Sequence, residues 1–294
     1  MRRSLWSILL LALAACEEAP EPREETRQRR SFAGLEDGLE DRSTYNGIFG
    51  HSSDELFRVD VDTYEVKKVG RFDGCGPVID IAVDGGHAII GASYSSLYSI
   101  DPKTAKCTRL ASGTFPNSLS FLPVGTVDPT SEALVGYLES RFVRIDPKTG
   151  NVTTIGSLEE PGLMSSGDIV SVAEGKTFLT VQGPGCDTDC LVEVNPRTGA
   201  MIRNFGPLGR SSVYGIAFWA GSVYGFSDAG ELFEVVFTSD NVVTRALDVP
   251  DKVSFWGAGS TTIAPVRHED DGPTVLAGGE GFANKNDKPK PRRR

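Results

Sequence analysis

The chain has 294 residues and is acidic, with 40 Asp and Glu against 30 Lys and Arg, giving a formal net charge of −10. This balance argues against nucleic acid as a partner, because nucleic-acid-binding proteins carry basic patches that neutralise phosphates. The sequence has no Walker or Rossmann glycine pattern, no GxSxG and no CxxC. It therefore offers no motif for nucleotide binding, serine hydrolysis or thiol redox chemistry.

Residues 1–16, MRRSLWSILLLALAAC, have the features of a targeting segment. Arg2 and Arg3 form a positive start, residues 5–13 are apolar, and small residues close the segment. A transmembrane helix needs about 20 apolar residues, and this run is too short. We therefore predict a signal peptide.

The last four residues of that segment, LAAC, resemble a bacterial lipobox. The resemblance implies that Cys16 becomes the N-terminus of the mature protein and carries lipid, which anchors the protein to a membrane. An ordinary secretory signal with an incidental cysteine is the alternative. In a Gram-negative host, Glu17 implies sorting to the outer membrane, facing either the periplasm or the outside. Residues 17–45 are charged and polar, which predicts a disordered tether.

A recurring element is clearest in residues 142–156, FVRIDPKTGNVTTIG. Two short runs rich in β-formers flank a turn, which predicts a β-hairpin. We expect Asp146 to accept a hydrogen bond from the backbone two residues on and Pro147 to fix φ. We expect Gly150 to supply a positive φ where the second strand begins.

The same hairpin recurs four more times, with the position equivalent to Asp146 at residues 60, 101, 195 and 236, a spacing of 41 to 49 residues. A four-stranded propeller blade repeats every 40–45 residues or so in the best-known class. The fifth copy has Val236 in place of the acidic residue and lacks the proline, so it departs furthest from the repeat.

The remaining strands complete the predicted blades. One strand precedes the first hairpin, at residues 46–50, and one unpartnered strand follows the fifth, around residues 255–266. If these two strands share a blade, the ring closes and hides both sheet edges. Two strands precede each of the other hairpins, at residues 78–83, 87–92, 119–124, 133–138, 169–173, 176–181, 213–219 and 222–226.

We therefore predict an all-β fold, a β-propeller of five four-stranded blades over residues 46–266, closed by pairing of the N- and C-terminal strands. Six blades and an open sandwich are the alternatives. Residues 267–294 lack apolar periodicity and predict a disordered charged tail.

The cysteines of an exported protein can form disulfides. Cys186 and Cys190 are separated by three loop residues and are predicted to bond. A simple up-and-down blade puts Cys75 and Cys107 at opposite ends, which leaves open a bond through a folded-back loop or two buried thiols. A zinc site has no support, because the close cysteine pair lacks a second ligand pair.

A propeller site is expected where the innermost strands begin, around the channel mouth. Two carboxylates, an amide and two aromatic rings at these starts suit a hard cation such as Ca²⁺, or a polar ligand. Alternatively, the carboxylates accept hydrogen bonds from neighbouring backbone N–H groups and the aromatic rings plug the channel. The residues are Asp80, Asn117, Asp168, Tyr214 and Trp256.

Other metal ligands are few. The chain has three histidines, and no Ser-His-Asp arrangement can be assembled from them. Asp187 and Asp189, between the paired cysteines, are a second candidate for a cation. No cofactor other than Ca²⁺ is indicated.

The pattern LYxIDPxTGxxTxIG is matched closely at residues 97–110 and 142–156. It resembles the repeats of secreted bacterial β-propeller proteins of the YVTN/NHL/quinoprotein-like group, which includes many lipoproteins. The resemblance implies a propeller over most of residues 46–266. Some members of that group are lactonases or lyases with His, Glu, Asp and Asn ligands at the mouth. This chain has few histidines, so no catalytic residue is carried over.

Two functions follow as hypotheses. The first is a monomeric, lipid-anchored envelope propeller that binds another protein or a glycan through its loops. The second is a metal-dependent enzyme of the lactonase or lyase sort, with its site at the channel mouth. The tether, the repeat and the missing catalytic set favour the binding module, and fold alone decides neither.

Overall fold

A computed structural model describes residues 47–238, 241–249 and 253–267. In this part of the chain the structure is a propeller of five four-stranded antiparallel blades, which confirms the predicted blade number and excludes six. No helix in these residues has the length and apolarity needed to span a membrane. The predicted signal peptide (1–16), the tether (17–45) and all but the first residue of the tail (267–294) lie outside the described residues.

The strands follow the chain order, blade by blade. Blade 1 has β1 (Ile48–His51), β2 (Glu55–Val59), β3 (Val66–Arg71) and the last strand, β20 (Gly257–Gly259). Blade 2 has β4 (Asp80–Val83), β5 (Ile89–Ala92), β6 (Ser96–Ile100) and β7 (Cys107–Ser112). Blade 3 has β8 (Leu119–Leu122), β9 (Ala133–Leu138), β10 (Arg141–Ile145) and β11 (Val152–Ser157). Blade 4 has β12 (Met164–Ser171), β13 (Thr177–Gly183), β14 (Cys186–Val194) and β15 (Met201–Pro207). Blade 5 has β16 (Val213–Trp219), β17 (Ser222–Ser227), β18 (Leu232–Phe237) and β19 (Val242–Leu247).

The ring closes as predicted, through pairing of the two ends of the fold. Strand β20 pairs antiparallel with β1, in the register Phe49↔Gly259 to His51↔Gly257. The five innermost strands, β4, β8, β12, β16 and β20, contact one another in a ring. The predicted strand at 255–266 is wrong in length, because pairing ends at Gly259 and the following residues leave the sheet.

Burial falls from the centre of each blade outward. Inner strands such as β4 and β8 are buried at every position, because each is covered on both faces by neighbouring blades. Outer strands such as β3, with sequence VKKVGR, are partly exposed and carry Lys and Arg. Charged side chains on these edge strands oppose pairing with other chains.

The buried apolar side chains of the described residues form five clusters, one at each interface between successive blades. The two-residue period of a strand sends alternate side chains to opposite neighbours. In β4, Ile81 and Val83 join the cluster shared with blade 1, whereas Ala82 joins the cluster shared with blade 3. No blade therefore has a core of its own.

The turns of the repeat have the predicted hydrogen bonds. Asp146 Oδ1 accepts from the backbone N–H of Lys148 at 2.9 Å, and Gly150 has a φ of 76°. Asp101 and Asn195 make the equivalent bonds to the residues two positions on, each at 2.8 Å. The local sequence thus fixes these turns.

The glycine that ends the repeat lies against the next blade. An ideal Cβ on Gly156 in β11 would lie 1.7 Å from the carbonyl oxygen of Thr198, in the following blade's turn. The adjacent Ser157 N–H donates to that same oxygen at 3.0 Å. Gly70 makes a similar approach to Thr104. Each turn of this kind therefore packs on the end of the outer strand of the preceding blade.

This contact between blades explains one of the two disulfides in the described residues. Cys186 and Cys190 are bonded as predicted. Cys75 and Cys107 are also bonded, with Cα atoms 5.5 Å apart. The expectation that a simple up-and-down blade puts these two cysteines at opposite ends of the blade is wrong. After β3 the chain runs parallel to the start of β7, where Cys107 N–H donates to Asp73 O at 2.6 Å.

We expect Gly156→Ala to lower the free energy of unfolding by about 2–4 kcal/mol, because its methyl group forces the Thr198 carbonyl away from β11. The measurement is urea denaturation followed by tryptophan fluorescence. Gly76→Ala is the matched control, since nothing lies within 4 Å of its Cβ position, and its effect should stay within about 0.5 kcal/mol. Equal stability of the two variants would contradict the packing role of Gly156.

Candidate functional site

The five residues predicted at the channel mouth differ in exposure. Asp80 and Asp168 are fully buried, Tyr214 and Trp256 are half-buried, and Asn117 is exposed. The structure brings the two carboxyl groups close enough for each to affect the pKa of the other. The exposed amide of Asn117 has a different environment from this buried pair.

Each buried carboxylate joins its own blade to the next. Asp80 Oδ1 accepts from Ile81 N–H at 2.8 Å, and Oδ2 accepts from Leu119 N–H of blade 3 at 2.5 Å. Asp168 likewise accepts from Ile169 N–H at 2.6 Å and from Ile216 N–H of blade 5 at 2.8 Å. These bonds match the structural alternative that the sequence left open.

Burial shifts the pKa values of the two aspartates and of a neighbouring histidine, His51, in opposite directions. Burial and then the nearby Asp168 raise the pKa of Asp80 well above its usual range, and burial also raises the pKa of Asp168. We call Asp80, Asp168 and the neighbouring His51 the hub.

His51 is fully buried, and the sequence around it had suggested no role for it. Its Nδ1–H donates to Ser52 O at 2.8 Å, which leaves a lone pair on Nε2. Nε2 lies 3.9 Å from Asp80 Oδ1 and has no hydrogen-bond partner. Burial lowers the pKa of His51 to about 4, so the imidazole is neutral. No group of three or more His, Cys, Asp or Glu among the described residues is arranged to hold a metal ion.

Asp187 and Asp189, the second candidate pair for a cation, have different environments. Asp187 is exposed, whereas Asp189 is buried and its Oδ2 accepts from Val213 N–H at 2.7 Å. Burial raises the pKa of Asp189. Asp189 therefore joins blade 4 to blade 5, as Asp168 does.

The opposite end of the channel, which we call the base, is crossed by residues 260–267, here called the strap. Thr261 Oγ1 donates to Asp84 O of blade 2 at 2.8 Å, and Thr262 Oγ1 contacts the Glu132 carboxylate of blade 3. In blades 4 and 5, Ala173 N–H donates to Thr262 O at 2.7 Å, and Ala220 N–H donates to Pro265 O at 2.6 Å. The strap thus connects the base ends of four blades.

A pocket of about 460 Å³ lies at the base, between blades 4 and 5 and beside the strap. Its apolar lining is mainly aromatic. The Phe237 ring lies 5.2 Å, centroid to centroid, from the rings of Phe178 and Phe205. Phe178, Phe205 and Phe218 are buried, and Phe237 is half-buried at the end of β18. Ligand pockets have volumes of about 300–1,000 Å³ and linings of this apolar kind.

The rim of the pocket is charged. Among the described residues that line it, three carry positive charge and one carries negative charge. The guanidinium of Arg203 lies 4.6 Å from the centroid of the Phe205 ring, and Lys176 pairs with Glu193. The charged lining residues are Glu174, Lys176, Arg203 and Arg267.

This pocket was not predicted from the sequence, although one signal pointed to it. The fifth turn has lost its Asp-Pro, and Phe237 occupies the position that Pro147 holds in blade 3. The turn is closed instead by Thr238, whose Oγ1 accepts from Asn241 N–H at 3.1 Å. Phe237 and Thr238 both line the pocket. The repeat is therefore least regular where the pocket forms.

The sequence matches no protein family and no curated protein. Among solved structures, it is similar to a chain of a nidogen–laminin complex, at 10% identity over 74% of this chain and 82% of that one, with a TM-score of 0.48. It is also similar to TolB from Acinetobacter baumannii, at 14% identity over 80% and 73%, with a TM-score of 0.46. A third similar structure is a protein of unknown function from Bacteroides caccae, at 14% identity over 71% of this chain and 76% of that one, with a TM-score of 0.39. These likenesses concern the fold, and no residue role is taken from them.

The hub should make stability depend on pH with two opposite signs. From the unfolded-state carboxyl pKa of about 3.9 up to the raised folded-state pKa, the native hub holds more protons. The carboxyl pair therefore loses stabilising effect as pH rises. The pKa of His51 is about 4 in the folded state, against an ordinary histidine value of 6.5 in the unfolded chain. Its contribution therefore grows as pH rises between these values.

Urea unfolding of the wild type, His51→Gln and Asp80→Asn from pH 4 to 6.5 tests these signs. The wild type should gain stability relative to His51→Gln as pH rises, by at most about 1.4 kcal/mol per pH unit. Asp80→Asn should gain stability relative to the wild type as pH rises, because an amide has no proton to lose over this range. A difference that stays constant with pH would contradict the charge state assigned to that residue.

Proposed function

We propose that this protein is a lipid-anchored propeller of the bacterial cell envelope that binds another envelope protein through its base. Two disulfides in the described residues fit a location outside the cytoplasm, because cytosolic thiols are kept reduced. The anchor rests on residues 1–16 and the lipobox-like Cys16. A protein-binding scaffold is a role that the propeller fold fits in general.

The pocket between blades 4 and 5 is the observation that carries this proposal. It offers an apolar surface beside charged groups, which is how a protein interface accepts an anchoring side chain. It also lies where the fifth repeat departs from the other four, and repeat proteins often vary at their binding face. A glycan partner is less favoured, because the apolar lining is phenylalanine and lacks hydrogen-bonding groups.

The metal-dependent enzyme remains the runner-up, and burial at the mouth disfavours it. Asp80 and Asp168 have no exposed surface, and both oxygens of each carboxylate accept backbone hydrogen bonds. A substrate or Ca²⁺ would have to displace bonds that join the blades. The binding module needs no such rearrangement.

Lipid attachment is tested at Cys16. In cells grown with radioactive palmitate, the wild type should carry label and fractionate with membranes. Cys16→Ser should lose the label and appear in the soluble fraction, whereas Glu17→Gln keeps the cysteine and should keep the label. An unlabelled wild type would contradict the lipid anchor.

Binding through the base is tested by cross-linking in cells. Phe237→Ser removes apolar lining and Arg203→Glu reverses a rim charge, and each should reduce a cross-linked product on the order of tenfold. Arg141→Glu is the matched control, an exposed charge reversal on blade 3, and should leave that product unchanged. An unchanged product in all three variants, with each fold verified by thermal melting, would contradict this use of the pocket.

A further inference from the structure

We infer that the pocket takes an acidic, apolar peptide segment of its partner, in which a large apolar side chain is flanked by carboxylates. This inference rests on the proposed function and names the chemistry of the partner. It follows from three features of the pocket: the composition of its floor, the charge of its rim and the turn that forms one of its walls.

The floor selects an apolar group. The rings of Phe178 and Phe218 are stacked at an interplanar angle of 13°, and Phe205 meets Phe237 edge to face at 73°. Val266 of the strap adds an aliphatic wall. These side chains offer no hydrogen-bond donor or acceptor, so a polar group placed here would lose its water without compensation. An aromatic or aliphatic side chain gains free energy by the same burial.

The rim selects negative charge. Lys176 is already paired with Glu193, but the guanidinium groups of Arg203 and Arg267 outnumber the remaining carboxylate, that of Glu174. This positive rim belongs to a protein whose whole sequence has a net charge of −10. The ring of Phe205 holds the Arg203 guanidinium at the pocket edge through a cation–π contact. Guanidinium groups bind carboxylates through paired hydrogen bonds, so acidic residues beside the anchor suit this rim.

The fifth turn differs from the turns of blades 2, 3 and 4 at the pocket. In blades 2, 3 and 4 the Asp-Pro or Asn-Pro turn packs against the preceding blade and covers that interface. In blade 5 the corresponding residues are Val236 and Phe237, and Phe237 forms part of the floor instead. The loss of the repeat pattern therefore coincides with the apolar surface that a partner would cover.

The experiment measures the binding of fluorescein-labelled peptides to the detergent-solubilised full-length protein by fluorescence anisotropy. Four peptides share one length. Three carry a central Phe-Leu pair flanked by Asp and Glu, by Ser or by Lys, and the fourth keeps the acidic flanks and replaces Phe-Leu with Ala-Ala. The acidic Phe-Leu peptide should bind at least tenfold more tightly than each of the others, and its affinity should fall as NaCl is raised.

Two variants assign the effect to the pocket. Arg203→Glu should remove the preference for acidic over Lys-flanked peptides. Phe237→Ser should weaken the binding of the acidic Phe-Leu peptide about tenfold. Arg141→Glu should change neither result. Because Arg203 is exposed, its variant tests the inference even if Phe237→Ser proves unstable.

Several outcomes would overturn the inference. Equal binding of the Ser-flanked peptide would remove the role of charge, and equal binding of the Ala-Ala peptide would remove the role of the floor. Binding that appears only when the chain is cut after Arg267 would make the chain's own C-terminal residues the occupant. If no peptide binds while pocket variants still lose the cellular cross-link, the proposed function stands and this ligand class is wrong.

Discussion

A blade of this propeller buries its two faces only against its two neighbours, so packing is complete only when the ring is closed. The five apolar clusters lie at the five interfaces, and none lies within a single blade. Closure depends on the short strand β20, which pairs with β1 over three residues. The strap continues from this strand and bonds to the four other blades. Strand β20 and the strap together therefore make hydrogen bonds to all five blades.

The hub shows how an inner strand meets its hydrogen-bonding requirements near the axis. One edge of each inner strand has no partner strand, so its N–H groups need acceptors from elsewhere. Asp80, Asp168 and Asp189 supply carboxylate oxygens across blade boundaries. Burying acids in this way is costly, and the raised pKa of Asp80 and of Asp168 limits the cost by favouring their uncharged forms. A set of polar residues at a propeller mouth can thus be structural.

Local features of this fold were predictable from the sequence, and contacts between blades were not. The turn at Asp146 and Gly150 depends on neighbouring residues, and the spacing of its copies gave the blade number and the closure. The packing of Gly156, the bond between Cys75 and Cys107, and the pocket all depend on how one outer strand meets the next blade. That relation follows from the twist of each sheet, which a repeat pattern does not record.

The candidate sites show the same division. The prediction put Asp80 and Asp168 at the starts of inner strands. In the structure Asp80 begins β4, whereas β12 begins at Met164 and Asp168 lies inside it. Their role depends on which N–H groups face them, and that is set by the adjacent blades. The buried position of His51 had no local signal. The divergent fifth turn was visible in the sequence, but its meaning required the four phenylalanines, which come from four different strands, to be seen in one place.

The closure of blade 1 also sets an order of events for a chain that is made from its N-terminus. Blades 2 to 5 are each built from four consecutive strands, so each sheet can form from one continuous segment of the chain. Strand β1 comes first among the strands of the described residues, yet its partner β20 comes last among them. Until synthesis passes Gly259, β1 is an open sheet edge and the ring has a gap. The blade that comes first in the sequence is therefore the last to be finished.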